Sequence, residues 1–230
     1  MDFSIVTYAI PFLLVGAKTT LLIAAFGVGA GLPFGILLAT ARTSRHGLLR
    51  RSTDFYCSVF RGTPMLVQIF VIYYGLAQID FIRHNAILWW IIGDSLHAAV
   101  IAVILNTGAY TAEIFRTALL SLPRGLIEAA EACGMSPWVI FRRIKFPLAL
   151  RQALPSYSTE VAVIVKESSL ASTITVLEIT GYAKRLMSET FAIMEIFVIT
   201  AAFYLVINVV CLTALNALER RLSFDRRTAR

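Results

Sequence analysis

Three stretches of this chain contain no charged residue: Thr19 to Ala41, Gly62 to Ile79 and Ile196 to Leu218. At about 1.5 Å of rise per residue, a helix of such length crosses roughly 30 Å of bilayer hydrocarbon. With 58% hydrophobic and 15% charged residues, the chain also lies well outside globular composition. In hydrocarbon every backbone amide must be satisfied internally, which leaves helices or a closed barrel. The apolar runs are continuous and lack the period-2 alternation of barrel strands. The chain therefore reads as an all-α integral membrane protein.

Ser95 to Ala112 makes a fourth apolar segment. A fifth, from about Gln152 to Leu177, is interrupted by Glu160, Lys166 and Glu167, yet lies between loops that charge placement puts on opposite sides. Five transmembrane helices are expected. Of the 21 Lys and Arg residues, 14 fall in Arg42 to Arg51, Arg124 to Arg151 and the tail Arg220 to Arg230. With an odd number of spans all three segments share one side, and the positive-inside rule makes that side the cytoplasm. The N-terminus is then outside and the C-terminus cytoplasmic, with Lys18, Arg83, Lys184 and Arg185 left for the outer loops. Asp2 sits where a cleavable signal peptide would carry positive charge, so the first span is expected to remain in the mature protein. The same asymmetry accounts for the net charge of +7 without a nucleic-acid partner.

Cys57, Cys133 and Cys211 have neither disulfide-framework nor metal spacing, and no metal site is expected. Gly27, Gly29, Gly31 and Gly35 recur along the first span with Pro33 among them, a pattern that lets a neighbouring helix approach closely. Phe81 to Asp94 is too short to span but holds Trp89 and Trp90, as a segment at headgroup level does. The two halves show no alignable repeat, so residues 1–230 read as a single transmembrane domain with a large inner loop at about 121–150.

That loop is the most informative part of the sequence. A helix-forming stretch through Glu128, Ala129, Ala130 and Glu131 runs to Gly134, a C-cap residue, and Ser136-Pro137 restarts a second helix expected to end at Lys145, before Pro147. Glu128, Ala129, Ala130, Gly134, Ile144 and Pro147 fit the spacing E-A-A-x3-G-x9-I-x-L-P, with Phe146 in place of the usual leucine. This resembles the inner-membrane permease subunits of ATP-binding-cassette (ABC) importers. Phe60 to Gln68 is similar to the F-R-G-T-P-x-L-x-Q motif of the polar amino acid uptake branch, carried here by Arg61, Gly62, Thr63, Pro64 and Gln68. Further agreement runs through Tyr110 to Arg116, Ala149 to Tyr157 and Lys166 to Leu170. The phrase from Leu154 to Val161 looks closest to permeases for histidine, lysine and arginine and for opines.

The resemblance implies a type I ABC importer permease fold in the bacterial inner membrane. It implies that the loop is a coupling helix seated in a groove of a partner ATPase homodimer, which binds the ATP and Mg. It implies a second permease subunit, identical or homologous, a periplasmic substrate-binding protein, and a polar or basic amino acid as cargo. No cofactor is expected on this chain, and no phosphate loop of the G-x-x-x-x-G-K-[ST] form occurs in it. Its histidines, His46, His84 and His97, form no hydrolase or zinc pattern, so a non-catalytic subunit is expected. A secondary carrier usually shows internal repeats, which are missing here.

An ionisable group at the bilayer centre costs about 2.5 to 3.5 kcal/mol, so each needs a partner, a cavity or a task. Glu113 and Arg116 are three apart and can pair across one turn, while Arg61 can equally reach Glu113 from another helix. Glu160 and Glu167 are seven apart and share a helix face, with Lys166 off that stripe. Glu160 is the candidate partner of a guanidinium or imidazolium substrate, and Lys166 with Glu167 is a candidate gate. Tyr110 and Tyr157 complete the candidate pathway residues, each with ordinary packing as its alternative role.

Overall fold

The computed structural model describes residues 3–44 and 46–222, with the side chains of 5–44 and 46–221. Asp2, Arg45 and the basic residues of the tail 223–230, on which the topology reading partly rests, lie outside the described residues. Among the described residues every regular element is helical. Three helices are long and apolar enough to cross a membrane, four if a bent pair is one span.

Helix α1 runs from Phe3 to Arg42, 40 residues with Pro11 and Pro33 inside it. The sequence reading starts the first span only at Thr19 and leaves Lys18 in an outer loop. Instead Lys18 sits in mid-helix with an exposed side chain. The run before it is as apolar as the run after it, and a single lysine on an outward face can carry its ammonium group away from the apolar surface without breaking the helix.

Helix α2 (Gly47–Gly62) and helix α3 (Met65–Phe70) meet at a bend of 107°. The helical path continues from α3 through a π turn, Val71–Gly75, and a 3-10 turn, Leu76–Gln78. The second expected span, Gly62 to Ile79, therefore covers only the limb after the bend. The basic run Arg42 to Arg51, read as a loop, is helical from Gly47 onward. Gly62, Thr63 and Pro64 form the corner, where the extended backbone of Thr63 and Pro64 is the conformation that proline imposes on its surroundings.

Two short helices, α4 (Asp80–His84) and α5 (Ala86–Ile92), carry Trp89 and Trp90 in the segment expected at headgroup level. The Asn85 side chain caps α5, and that of Asp94 caps α6 (Ser95–Leu120). Helix α6 runs eight residues beyond the expected end at Ala112. It is the central post of the bundle, and α1 lies along it. An added Cβ at Gly27, Gly31 or Gly35 would fall 2.5 Å from Val103, 2.7 Å from Thr107 or 2.4 Å from Thr111. The small-residue reading holds for these three; Gly29 faces open space.

The loop at about 121–150 folds as α7 (Arg124–Ala132) and α8 (Pro137–Ile140). A π turn, Phe141–Lys145, leads without a break into α9 (Phe146–Glu167). The sequence reading ends the second loop helix before Pro147, but the helix passes through. Proline lacks the N–H that would bond to Arg143, and its ring crowds that carbonyl. The wider turn just before it, with the Phe146 N–H bonded to the Phe141 carbonyl, accommodates both faults. After α9 come a 3-10 turn (Ser168–Ile174), α10 (Ile179–Thr190) and α11 (Ile193–Leu222), the last covering the charge-free stretch Ile196 to Leu218, while the expected segment Gln152 to Leu177 is α-helical only as far as Glu167.

Candidate functional site

The corner between α2 and α3 is tied by one side chain. Gln68 Nε2 donates to the Phe60 carbonyl at 2.7 Å, to Thr63 Oγ1 at 2.9 Å and to the Thr63 carbonyl at 3.1 Å. Its Oε1 accepts from Asn106 Nδ2 of α6 at 2.9 Å, and both side chains are buried. The corner breaks the helical ladder, and Gln68 occupies the carbonyls this frees. The spacing of the Phe60 to Gln68 motif thus has a local physical basis: glycine and proline make the corner, and the glutamine one turn later closes it. Asn106 is not singled out by the sequence reading, because a lone asparagine in an apolar helix carries no motif.

Glu113 gathers three arginines. Arg42 and Arg61 each place Nη1 2.7 Å from Oε2, and Arg116 places Nη2 2.5 Å from Oε1. Arg42 also holds Asp54 of α2 at 2.6 Å. The choice left open by the sequence, Arg61 or Arg116, resolves as both. Arg42 joins them as a partner that spacing could not reveal, being 71 residues away. The cluster joins the ends of α1 and α2 to α6. Arg61 also lies over the Tyr110 ring, 5.8 Å from its centroid. Beside the cluster, Glu113, Thr117, Ser121, Gln152 and Ser156 line an open hollow of about 390 Å³ between α6 and α9.

In the loop at about 121–150, α7 ends in a left-handed glycine, Gly134, with φ of 74°. The Met135 N–H reaches the Ala130 carbonyl at 3.2 Å and the Gly134 N–H reaches that of Glu131 at 2.9 Å. These are the paired bonds of a Schellman cap. Glu128 and Ala129 are exposed while Ala130 is buried, so α7 presents its acidic side outward. Ile144 and Pro147 are half-buried in the π turn and the first turn of α9, apart from that exposed face.

On α9, Glu160 and Tyr157 are buried one turn apart. Among the described residues the Tyr157 hydroxyl has no hydrogen-bond partner and Glu160 forms no hydrogen bond or ion pair. Arg61 and Glu167 act on Glu160 electrostatically. Lys166 is exposed on another face of the helix, as its spacing predicts, and Glu167 is half-buried. Lys166 lines a hollow with Ser169, Thr180, Thr200 and Tyr204.

One buried carboxylate was missed by the sequence reading altogether. Glu178 is fully buried and accepts from Tyr204 Oη at 2.6 Å, Gly181 N at 2.8 Å, Thr180 N at 3.0 Å and Thr20 Oγ1 at 3.4 Å. It caps α10 while fastening α1 and α11. Gly16 stands against its backbone, where a Cβ would fall 2.8 Å from the Glu178 carbonyl carbon. Among the described residues no group of three His, Cys, Asp or Glu could hold a metal.

Residues 31–224 match the family model for the binding-protein-dependent transport system inner membrane component. The octopine transport system permease protein of Rhizobium radiobacter is 48% identical over 95% of this chain and 89% of its own length. The glutamine transport system permease protein of Escherichia coli (strain K12) is 37% identical over 96% of this chain and 97% of its own. Among solved structures, an amino acid ABC transporter crystallised with histidines superposes with a TM-score of 0.85 at 31% identity, covering 96% of this chain and 99% of that one.

Proposed function

The chain belongs to the family of binding-protein-dependent transport system inner membrane components, and from that premise we propose that it forms the translocation pathway of an ATP-driven importer for polar, above all basic, amino acids or opines. Its membrane path is five spans: α1, the bent α2–α3 limb, α6, α9 and α11. The N-terminus lies outside and the C-terminus in the cytoplasm, as the basic segments require. It pairs with a second permease subunit, docks an ATPase homodimer that binds ATP and Mg, and receives cargo from a periplasmic binding protein. Residues 1–230 act as one domain, and catalysis of ATP hydrolysis belongs to the partner.

The observation that carries this reading is α7. A short amphipathic helix, exposed at Glu128 and Ala129 and closed by the left-handed Gly134, stands between two long membrane helices, and after the break at 133–136 α8 runs as continuous helix into α9. Glu128, Ala129, Ala130 and Gly134 meet the ATPase, while Ile144 and Pro147 pass its movement into α9. Closure of the ATPase then shifts the bundle between inward-open and outward-open states. The Arg61 to Gln68 corner serves as a rigid elbow beside the pathway.

Cargo with a cationic side chain meets Glu160. A carboxylate and a hydroxyl one turn apart, both without hydrogen-bond partners among the described residues, suit a guanidinium or imidazolium ion. Tyr110, Glu113, Lys166 and Glu167 line the remainder of the path or its gates.

The first experiment is purification of the tagged chain from native membranes in mild detergent, followed by an ATPase assay with and without the external binding protein. A co-purifying nucleotide-binding subunit with stimulated activity is expected. A homo-oligomer without ATPase would overturn the importer reading. For the substrate, Glu160→Gln is expected to reduce uptake of cationic cargo more than neutral cargo. Equal loss for both would leave Glu160 a structural residue.

A further inference from the structure

We propose that the hollow between the end of α1 and the α8–π-turn segment is a binding site for an anionic phospholipid of the cytoplasmic leaflet. The site rests on the orientation given above, which places the C-terminal end of α1 at the inner membrane surface.

The hollow has a volume of about 730 Å³ and an apolar floor of Ile36, Leu37, Phe141 and Phe146, with Trp138 at its edge. Thr40, Thr43 and Ser44 complete the lining; the Thr40 and Thr43 hydroxyls donate to the Leu37 and Thr40 carbonyls, which leaves their oxygens as acceptors. Trp138 stacks on Phe141 at 6.0 Å between ring centroids, and Phe141 approaches Phe146 at 6.2 Å. The π turn makes this row possible, since its widened spacing brings both Phe141 and Phe146 to the same wall. Leu37 and Trp138 are 66% and 67% exposed, which in water would be an unfavourable display and in a bilayer is an ordinary one.

Charge identifies the occupant. Arg142 and Arg143 are exposed, Lys145 is half-buried, and among the described residues none of the three pairs with a carboxylate. None of the three is among the lining residues; Arg142 follows Phe141 directly and Lys145 precedes Phe146, so the cations stand beside the hollow on the same segment. An apolar hollow, a hydroxyl rim and unpaired cations at the inner surface together fit acyl chain, glycerol and phosphate in turn. Basic pockets between spans on this side of a membrane bind such headgroups, each cation enriching an anionic lipid about fivefold.

The test uses the full chain in complex with its co-purified ATPase, with Trp89→Phe and Trp90→Phe so that Trp138 is the remaining tryptophan. Fluorescence quenching is measured with brominated phosphatidylglycerol and with brominated phosphatidylcholine. The expected result is half-quenching at about tenfold lower mole fraction of the anionic lipid, an excess lost in Arg142→Gln/Lys145→Gln and at high salt. Equal quenching by both lipids, or an excess that survives the double variant, would overturn the site. Quenching that appears only when the ATPase is stripped away would assign the surface to the ATPase and overturn it as well. Orientation is read separately, from whether an impermeant thiol reagent reaches the exposed Cys133 from outside intact cells. Labelling there would refute the topology, whatever the quenching shows.

Discussion

Gln68 Nε2 lies 2.7 Å from the carbonyl oxygen of Phe60, so a side chain from α3 finishes the last turn of α2 across a 107° corner. Replacing it with leucine keeps the volume near and removes every bond at once. The Thr63 carbonyl loses the Gln68 donor, and the Phe60 carbonyl and Asn106 Nδ2 are left with only their long mutual contact at 3.4 Å, each unsatisfied buried group costing about 1 to 3 kcal/mol. Gln68→Leu should lower the thermal midpoint in detergent markedly. Gln68→Leu with Asn106→Leu should cost less than the sum of the two single variants, because the second change removes the orphaned amide. Strict additivity would mean the two side chains do not share a network.

The Glu113 cluster predicts an order of costs. Glu113→Gln leaves three guanidinium groups facing a neutral amide, with only Arg42 retaining a carboxylate, Asp54. Breaking a largely buried pair of this kind costs about 3 kcal/mol. Arg61, with a side chain 37% exposed, has water as a substitute partner, so Arg61→Gln should cost about 1 kcal/mol or less. Arg42→Gln should fall between them. Thermal unfolding of the three variants checks the order. An Arg61→Gln cost equal to that of Glu113→Gln would place the weight on its contact with Tyr110 instead.

Much of this was legible because hydrocarbon is a severe solvent. Charge-free length marked α1, α6 and α11, and glycine and proline marked the Gly134 cap and the Gly62 to Pro64 corner. What stayed hidden depended on contacts between residues distant in sequence. Arg42 looked like an ordinary inner-loop cation, Asn106 like a stray polar residue, and Glu178 like the end of an apolar run. Each takes a partner more than 30 positions away, Glu113 for Arg42, Gln68 for Asn106 and Thr20 for Glu178. The passage through Pro147 was unreadable for a different reason. A π turn leaves no mark in apolar periodicity that a proline stop would not also leave.

The seam between α1 and α6 separates glycines that look alike in sequence. Gly27→Ala would set its Cβ 2.5 Å from a Val103 methyl, with the next neighbour at 3.3 Å, so Val103→Ala should restore most of the loss. Gly35→Ala would meet Thr111 Cβ at 2.4 Å and the Gly108 carbonyl at 2.8 Å. Thr111→Ala keeps that Cβ and should restore little. Gly29→Ala should be neutral or slightly stabilising, since it gains helix propensity in open space. Overpacking costs of about 1 to 3 kcal/mol make these differences measurable as expression and melting in detergent. Rescue of Gly35→Ala by Thr111→Ala would mean the two helices can slide apart.

At Gly134 the strain of the backbone can be separated from contact with a partner. With φ at 74° the site favours glycine, yet an added Cβ would meet nothing within 4 Å in this chain. Alanine and glutamate should therefore cost the isolated subunit about the same, roughly 1 kcal/mol of left-handed strain, and asparagine less. In the assembled importer the variants should diverge if α7 seats in an ATPase groove, because only the glutamate adds a charged chain at the seat. The expected pattern is nearly equal melting for Gly134→Ala and Gly134→Glu, with uptake largely kept in the first and abolished in the second. Equal loss of uptake in both would assign the glycine to the Schellman cap alone. Normal uptake by Gly134→Glu at normal expression would remove α7 from the coupling path.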